Sequence, residues 1–133
     1  MRSTSDIVAD YYRFLRERDH ESLVALLDDD IVVTYHARAG NLPWAGRYEG
    51  ITGFDQFFSI IREYLDIVEV TIVDSLESGG RFVNFCEGKW KYRESGHIVE
   101  GHMVNGFTVV GGRITAYDVY ADTAAFAEGL DSR

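Results

Sequence analysis

Among its 133 residues the chain has one cysteine, one proline and two methionines. A lone Cys86 can form no internal disulfide, and a chain of this length buries roughly two-thirds of its unfolded surface without one. Long apolar runs are missing: none reaches the ~20 residues of a membrane-spanning helix. The opening MRSTSDIVADYY holds no apolar signal core before its first acids, which predicts a cytoplasmic protein. Basic residues are scarce, 13 against 22 acids, for a formal charge of −9. That balance argues against nucleic acid, whose binding rests on Lys and Arg at phosphates. Phosphate loop, Gly-x-Ser-x-Gly elbow, paired zinc motif and dinucleotide fingerprint are all absent, so no cofactor or metal is expected. What is plentiful is aromatic: eight Tyr, eight Phe and two Trp, within a chain that is 46% hydrophobic. Residues 1–133 read as a single folded domain with the makings of a small-molecule pocket.

No repeat or linker interrupts the chain. Ile7, Tyr11, Phe14 and Leu15 recur at helical spacing behind a cap at Ser5 or Asp6. A second short helix carries Leu23, Leu26 and Leu27, and Asp28–Asp30 end it. Ile31–His36 is a β-branched strand, followed by the irregular stretch ARAGNLPWAGRYEG. Helix returns over 52–65 with Phe54, Phe57, Phe58, Ile61 and Leu65 on one side. Four strands follow, near 66–76, 81–93, 97–110 and 113–122, separated by glycine turns. A short helix over 123–130 closes the chain. The order α-α-β-α-β-β-β-β predicts an α+β fold, a cone-shaped α+β barrel in which a curved antiparallel sheet wraps around the N-terminal helices.

The turn at Glu94-Ser95 predicts a hairpin register in which paired positions sum to 189. Trp90 then faces Val99, Cys86 faces Met103, Asn84 faces Asn105 and Phe82 faces Phe107. On the other side Glu87 meets His102 and Lys89 meets Glu100. One face is apolar apart from the Asn pair and the other is complementary charge; a one-residue slip would mix them. Asn84, Cys86, Trp90, Met103, Asn105 and Phe107 therefore look inward, as do Tyr117 and Val119 on the last strand, with Asp118 and Tyr120 turned away. His102 is read as a structural or interface residue, with acid/base or metal chemistry as the other options. Buried Asn105 either pairs with Asn84 or aims a donor at a ligand carbonyl. Trp44, after the only proline, either covers the cone's opening over a flat ligand or packs as a loop anchor on the Phe54–Phe58 helix.

With its element order, YHARAGNLPWAGRYEGITGFDQFF and the closing GGRITAYDVYAD, the chain resembles the nuclear transport factor 2-like superfamily, in its SnoaL-like and ketosteroid-isomerase-like branch. The resemblance covers nearly the whole chain, and that fold serves isomerases, polyketide cyclases, dehydratases, epoxide hydrolases and binding modules. By the isomerase pattern Tyr11 takes the place of the oxyanion-hole tyrosine and Asn105 that of the oxyanion-hole acid. The general-base position falls on Tyr35, a weak base at an ordinary pKa of ~10. The last-strand acid of epoxide hydrolases and SnoaL-like cyclases is replaced by Val119. His36, beside Tyr35 at the strand's end, is a proton-transfer candidate if the following loop re-aims it; otherwise it fixes the loop.

Three functions follow from these residues. One is a lyase, isomerase or cyclase acting on an apolar, carbonyl-containing metabolite, with Tyr11 and Asn105 holding the oxygen and His36 or Tyr35 moving the proton. Another is a noncatalytic binder of a small apolar or aromatic ligand. The third is an association module. A homodimer through the outer sheet face, around Val83, Phe85, Glu87, Lys89, Glu100, His102 and Val104, is compatible with each.

Overall fold

The computed structural model describes residues 2–131. Helix α1 (Thr4–Glu17) starts two to three residues earlier than the Ser5 or Asp6 cap predicted. Ser3 is the cap: its hydroxyl accepts from the Asp6 N–H, and the Asp6 carboxylate accepts from the Ser3 N–H. This reciprocal pair needs a cap residue in extended backbone, which Ser3 has and the already helical Ser5 and Asp6 do not. Arg18, in left-handed backbone at φ 56°, ends the helix.

Helix α2 (His20–Ala25) is shorter than its leucines suggest. Leu26 is its C-cap, while Leu27 and Asp28–Asp30 belong to strand β1 (Leu27–His36) rather than to a helix end. The reason is non-local. The Ile114 N–H donates to the Leu26 carbonyl at 2.8 Å, and Leu27 pairs with Ile114, so the final strand draws this segment into the sheet. Within the stretch read as irregular lies a short strand, β2 (Gly46–Glu49), paired antiparallel to β1. Helix α3 (Gly50–Tyr64) follows, then β3 (Leu65–Ser78), β4 (Arg81–Tyr92), β5 (Ile98–Val110), β6 (Arg113–Ala121) and helix α4 (Thr123–Asp131).

The sheet order is β2-β1-β6-β5-β4-β3. Strands β3 to β6 form the antiparallel meander read from the glycine turns; Gly111 and Gly112, at φ 58° and 80°, close the two-residue turn between β5 and β6. Strand β1 runs parallel to β6, so the sheet is mixed. A parallel neighbour needs a long crossover, which the chain supplies by building the rest of the domain between them. The α+β fold is thus a curved, unclosed six-stranded sheet with helices over one face.

The β4–β5 register is the one derived from charge and polarity: Trp90↔Val99, Cys86↔Met103, Asn84↔Asn105, Phe82↔Phe107, Glu87↔His102 and Lys89↔Glu100. Helix α1 packs against β4, α3 against β1 and α4 against β5. They enclose a core of Tyr11, Leu27, Ile31, Val33, Trp44, Phe54, Phe57 and Phe107. Burying one such large side chain contributes about 1.5–3 kcal/mol, so this aromatic centre dominates the folding energy. Strand β3 stands apart as a sheet edge; Ile67, Val73 and Leu76 are each more than half exposed. Two register shifts, around Val68 and Val73, put extra residues into β3 and reset which of its side chains face inward. No helix among the described residues is long and apolar enough to cross a membrane.

Candidate functional site

Strand pairing lines up one row of inward side chains across the sheet: Tyr35 on β1, Val119 on β6, Asn105 on β5, Asn84 on β4 and Ser75 on β3. Asn84 and Asn105 are the two buried polar side chains among the described residues. They do not bond to each other. Both amides donate to the hydroxyl of Tyr12, Asn105 Nδ2 at 3.0 Å and Asn84 Nδ2 at 3.1 Å, and Ser75 Oγ donates to Asn84 Oδ1 at 2.5 Å. Tyr12 lies on α1, so one oxygen ties the helix to β4 and β5, and Asn84 extends the network to β3.

That oxygen is chemically unusual. Two N–H groups occupy its acceptor capacity, and its own O–H has no acceptor among the described residues. The free direction adjoins a groove of about 210 Å³ between α1 and the β3–β4 edge, walled by Val8, Ile72 and Phe82 and floored by Tyr12, Ser75 and Asn84. Burial pushes the phenol up to about 12, with the two amide bonds working the other way, so Tyr12 is a neutral hydrogen-bond donor at physiological pH. A neutral donor polarised by two amides suits a carbonyl oxygen that gains negative charge.

The residues nominated by sequence fall into three places. Tyr11 is fully buried one helical step from Tyr12, against Phe107 at 5.0 Å, Tyr117 at 5.5 Å and Phe54 at 6.3 Å between ring centres. Its hydroxyl lies close enough to that of Tyr117 to influence its ionisation, yet forms no hydrogen bond. Asn105 thus meets Tyr12 instead of Tyr11. Tyr35 and Val119 share the Asn105 row at the closed side of the sheet, where burial pushes the Tyr35 phenol up to about 12. Trp90 is buried against Phe126 of α4, and Met103 is partly buried beside the core.

Trp44 is wholly buried and covers no opening. Its ring sits 5.8 Å from Tyr64, 5.9 Å from Phe126, 6.1 Å from Tyr35 and 6.4 Å from Tyr92. It anchors the loop at the end of α3 and on α4, rather than on the Phe54–Phe58 turn. His36 is not re-aimed by the loop that follows it. It stays on the outer face, where Nε2 meets Asp118 Oδ1 at 2.8 Å and the ring stacks on Tyr120 at 4.1 Å. Strand alternation and an available carboxylate together hold it away from the inner face.

The outer face has its own concavity of about 460 Å³, walled by Glu69, Glu87, Lys89, Glu100, His102 and Asp122. Four of its side chains pair with one another: Lys89 meets Glu100 at 3.3 Å and His102 meets Glu87 at 3.9 Å. Such exposed pairs are worth little and are screened by salt. Among the described residues no three His, Cys, Asp or Glu side chains converge as a metal site would require. The smaller groove at Tyr12 is the better candidate because a buried polar network ends in it.

Tyr12 and Ser75 are the residues sequence reading missed. Tyr12 had a signal, since two facing buried amides demand a shared partner and α1 offers two adjacent tyrosines. Ser75 had none, because its direction depends on the extra residue at Val73.

Known structures share this architecture. An NTF2-like protein of Burkholderia thailandensis E264 superposes with a TM-score of 0.85 at 22% identity, covering 98% of both chains. TerC, co-crystallised with polyporic acid, gives 0.84 at 22% identity, over 97% of this chain and 98% of that one. A protein provisionally named an isomerase, from Rhodopseudomonas palustris, gives 0.80 at 16% identity over 100% and 99%. Likeness at these identities speaks for the fold alone. No curated protein sequence matches. The profile of the SnoaL-like domain, however, matches residues 8–117, from the first turns of α1 through Tyr117 of β6. The chain belongs to the SnoaL-like domain family, within the NTF2-like superfamily.

Proposed function

We propose that the chain takes an apolar, carbonyl-bearing small molecule into the groove between α1 and the β3–β4 edge and acts on it as an isomerase or cyclase. The observation that carries this reading is the Tyr12 hydroxyl, which accepts from both buried amides and keeps its own proton for a ligand. Proton loss next to a carbonyl leaves charge on the oxygen, and Tyr12 would hold that oxygen. The apolar walls of Val8, Ile72 and Phe82 around it suit an apolar ligand. Family membership and the ligand named for TerC support the same class of molecule.

A second reading, noncatalytic binding, is favoured by one observation: no carboxylate, imidazole or amine is among the buried side chains of the described residues. In the enzyme reading the proton therefore passes to a group on the substrate or to water. Hydrogen–deuterium exchange separates the two. Aryl ketones and hydroxyquinones are incubated with the protein in D2O, and the positions next to the carbonyl are followed by NMR. Catalysed exchange is the expected result. Saturable binding without exchange favours the binder, and absence of binding across the panel removes the groove as the site.

Assembly as a homodimer through the outer face belongs to this reading. Val83, Phe85 and Val104, each part-buried, and the exposed Tyr120 form an apolar centre there. Sedimentation should give twice the chain mass, and Val104→Glu should return the monomer. A wild-type monomer at micromolar concentration contradicts the assembly.

A further inference from the structure

On the outer face, strand β4 presents Arg81, Val83, Phe85 and Glu87 at alternate positions, with the inward Asn84 at their midpoint. Charges of opposite sign thus stand at equal distances on either side of Asn84, each behind an apolar side chain. Neighbouring strands continue the layout. Val83 is level with Gly106 of β5, and Phe85 is level with Val104 of β5 and Tyr120 of β6. Beyond Phe85 lie Glu69, Glu87, Glu100 and Asp122, with Lys89 and His102 among them. Beyond Val83 the outward positions are Ser78, Arg81, Thr108 and Arg113. Two carboxylates near the middle are engaged locally, Asp118 with His36 and Asp74 with the Ser75 N–H, each at 2.8 Å. Across β3 to β6 the face runs from an acidic end, through an apolar middle, to a basic end.

Such a surface is complementary to itself in one orientation. In a two-fold dimer the same patch meets itself, so each contact occurs twice. When two sheets pack face to face, the axis between them runs along the strands or across them. An axis along the strands would set acidic end against acidic end, gathering Glu87, Glu100 and Asp122 from both copies. Juxtaposed like charges oppose that arrangement. An axis across the strands, following the Asn84–Asn105 row, reverses one sheet on the other. Val83 then lies over the partner's Phe85, and Arg81 lies over the partner's Glu87. We infer that the second copy docks on this face with its strands reversed, Arg81 of each protomer pairing with Glu87 of the other. The inference rests on the outer-face assembly proposed above and adds its orientation and its charged contacts. Arg81 is free for that contact, being exposed and without an ion pair among the described residues. Glu87 is also exposed, and its His102 neighbour stands at 3.9 Å, long for an ion pair. The concavity of about 460 Å³ beside Glu87 gives an incoming guanidinium room to enter.

Charge exchange on the full chain tests the orientation, with mass read by sedimentation and folding checked by circular dichroism. Arg81→Glu sets acid against acid at both symmetric contacts, and Glu87→Arg sets base against base. Either variant alone should loosen the dimer about tenfold to a hundredfold, the effect of like charges brought face to face. An equimolar mixture of the two should recover the dimer mass, because every contact then joins opposite signs. The chain carrying both Arg81→Glu and Glu87→Arg should recover it alone. Where one single variant does not fold, loss in the other and recovery in the double exchange carry the same test. Single variants that dimerise as tightly as wild type, or a mixture and double exchange that stay dissociated, overturn the orientation. The assembly itself still stands in that case if Val104→Glu gives a monomer. If wild type is monomeric, or Val104→Glu remains dimeric, the outer-face assembly fails and the orientation fails with it.

Discussion

Tyr12→Phe should slow carbonyl-directed exchange by about 10²–10³-fold, the usual cost of removing one donor from an oxyanion site. The substitution removes one oxygen and leaves the ring in place against Phe107, 5.7 Å away between centres. What it takes from the ligand is an O–H that has no acceptor among the described residues. It also leaves two buried amide donors without their partner. Each such orphan costs about 1–3 kcal/mol of stability, so the variant should melt earlier as well as react slower. Rates must therefore be compared well below its melting range. Tyr11→Phe is the informative contrast. The Tyr11 hydroxyl is buried without a hydrogen bond, so its removal should be harmless or mildly stabilising, and its effect on rate small. The two variants differ by one position on one helix, and their ratio reports which tyrosine faces the ligand. Equal rates for wild type and Tyr12→Phe would contradict the assignment; a larger loss in Tyr11→Phe would reverse it.

Trp44→Ala is the substitution expected to cost most in stability, about 3–5 kcal/mol by urea unfolding. Few side chains join so many parts of this fold. Trp44 packs on Tyr35 of β1, Tyr64 at the end of α3, Tyr92 at the end of β4 and Phe126 of α4. Alanine would leave a void among four aromatic rings already held by their own elements, so the site cannot collapse onto it. A typical domain has about 5–15 kcal/mol in total, and losing a third of that or more should show in expression and melting alike. Trp44→Phe should recover much of the loss, because it restores a ring and removes an indole N–H that has no partner. A loss below about 1 kcal/mol for the alanine variant would mean that the Ala37–Ala45 loop is not part of the core.

Comparison of expectation with structure shows which kinds of information were local. The β4–β5 register was readable because polarity alternates with a period of two and charges match across the turn. The outward direction of Asp118 and Tyr120 and the inward direction of Tyr117 and Val119 come from the same alternation. Helix ends were less legible. Asp28–Asp30 look like the solvated end of a helix, yet Leu27 and Val32 on either side of them pair with β6 residues more than eighty positions away, and the segment between runs as strand. Strand β2 was invisible for a similar reason. Gly46–Glu49 has no strand pattern of its own and is extended because β1 pairs with it.

By itself, then, the sequence determined the α+β class, the two faces of the central hairpin and the pair of amides turned into the interior. Each is written in short-range periodicity, where neighbouring side chains alone decide which pattern can be buried. Tertiary structure decided the chemistry. Whether Tyr11 or Tyr12 meets the amides is a matter of helix phase, set by how α1 docks on β4. Whether Asp74 or Ser75 faces Asn84 is a matter of one extra residue in β3. In both cases the choice between adjacent positions is made by packing and hydrogen bonds with partners distant in the chain. Local patterning does not carry that information.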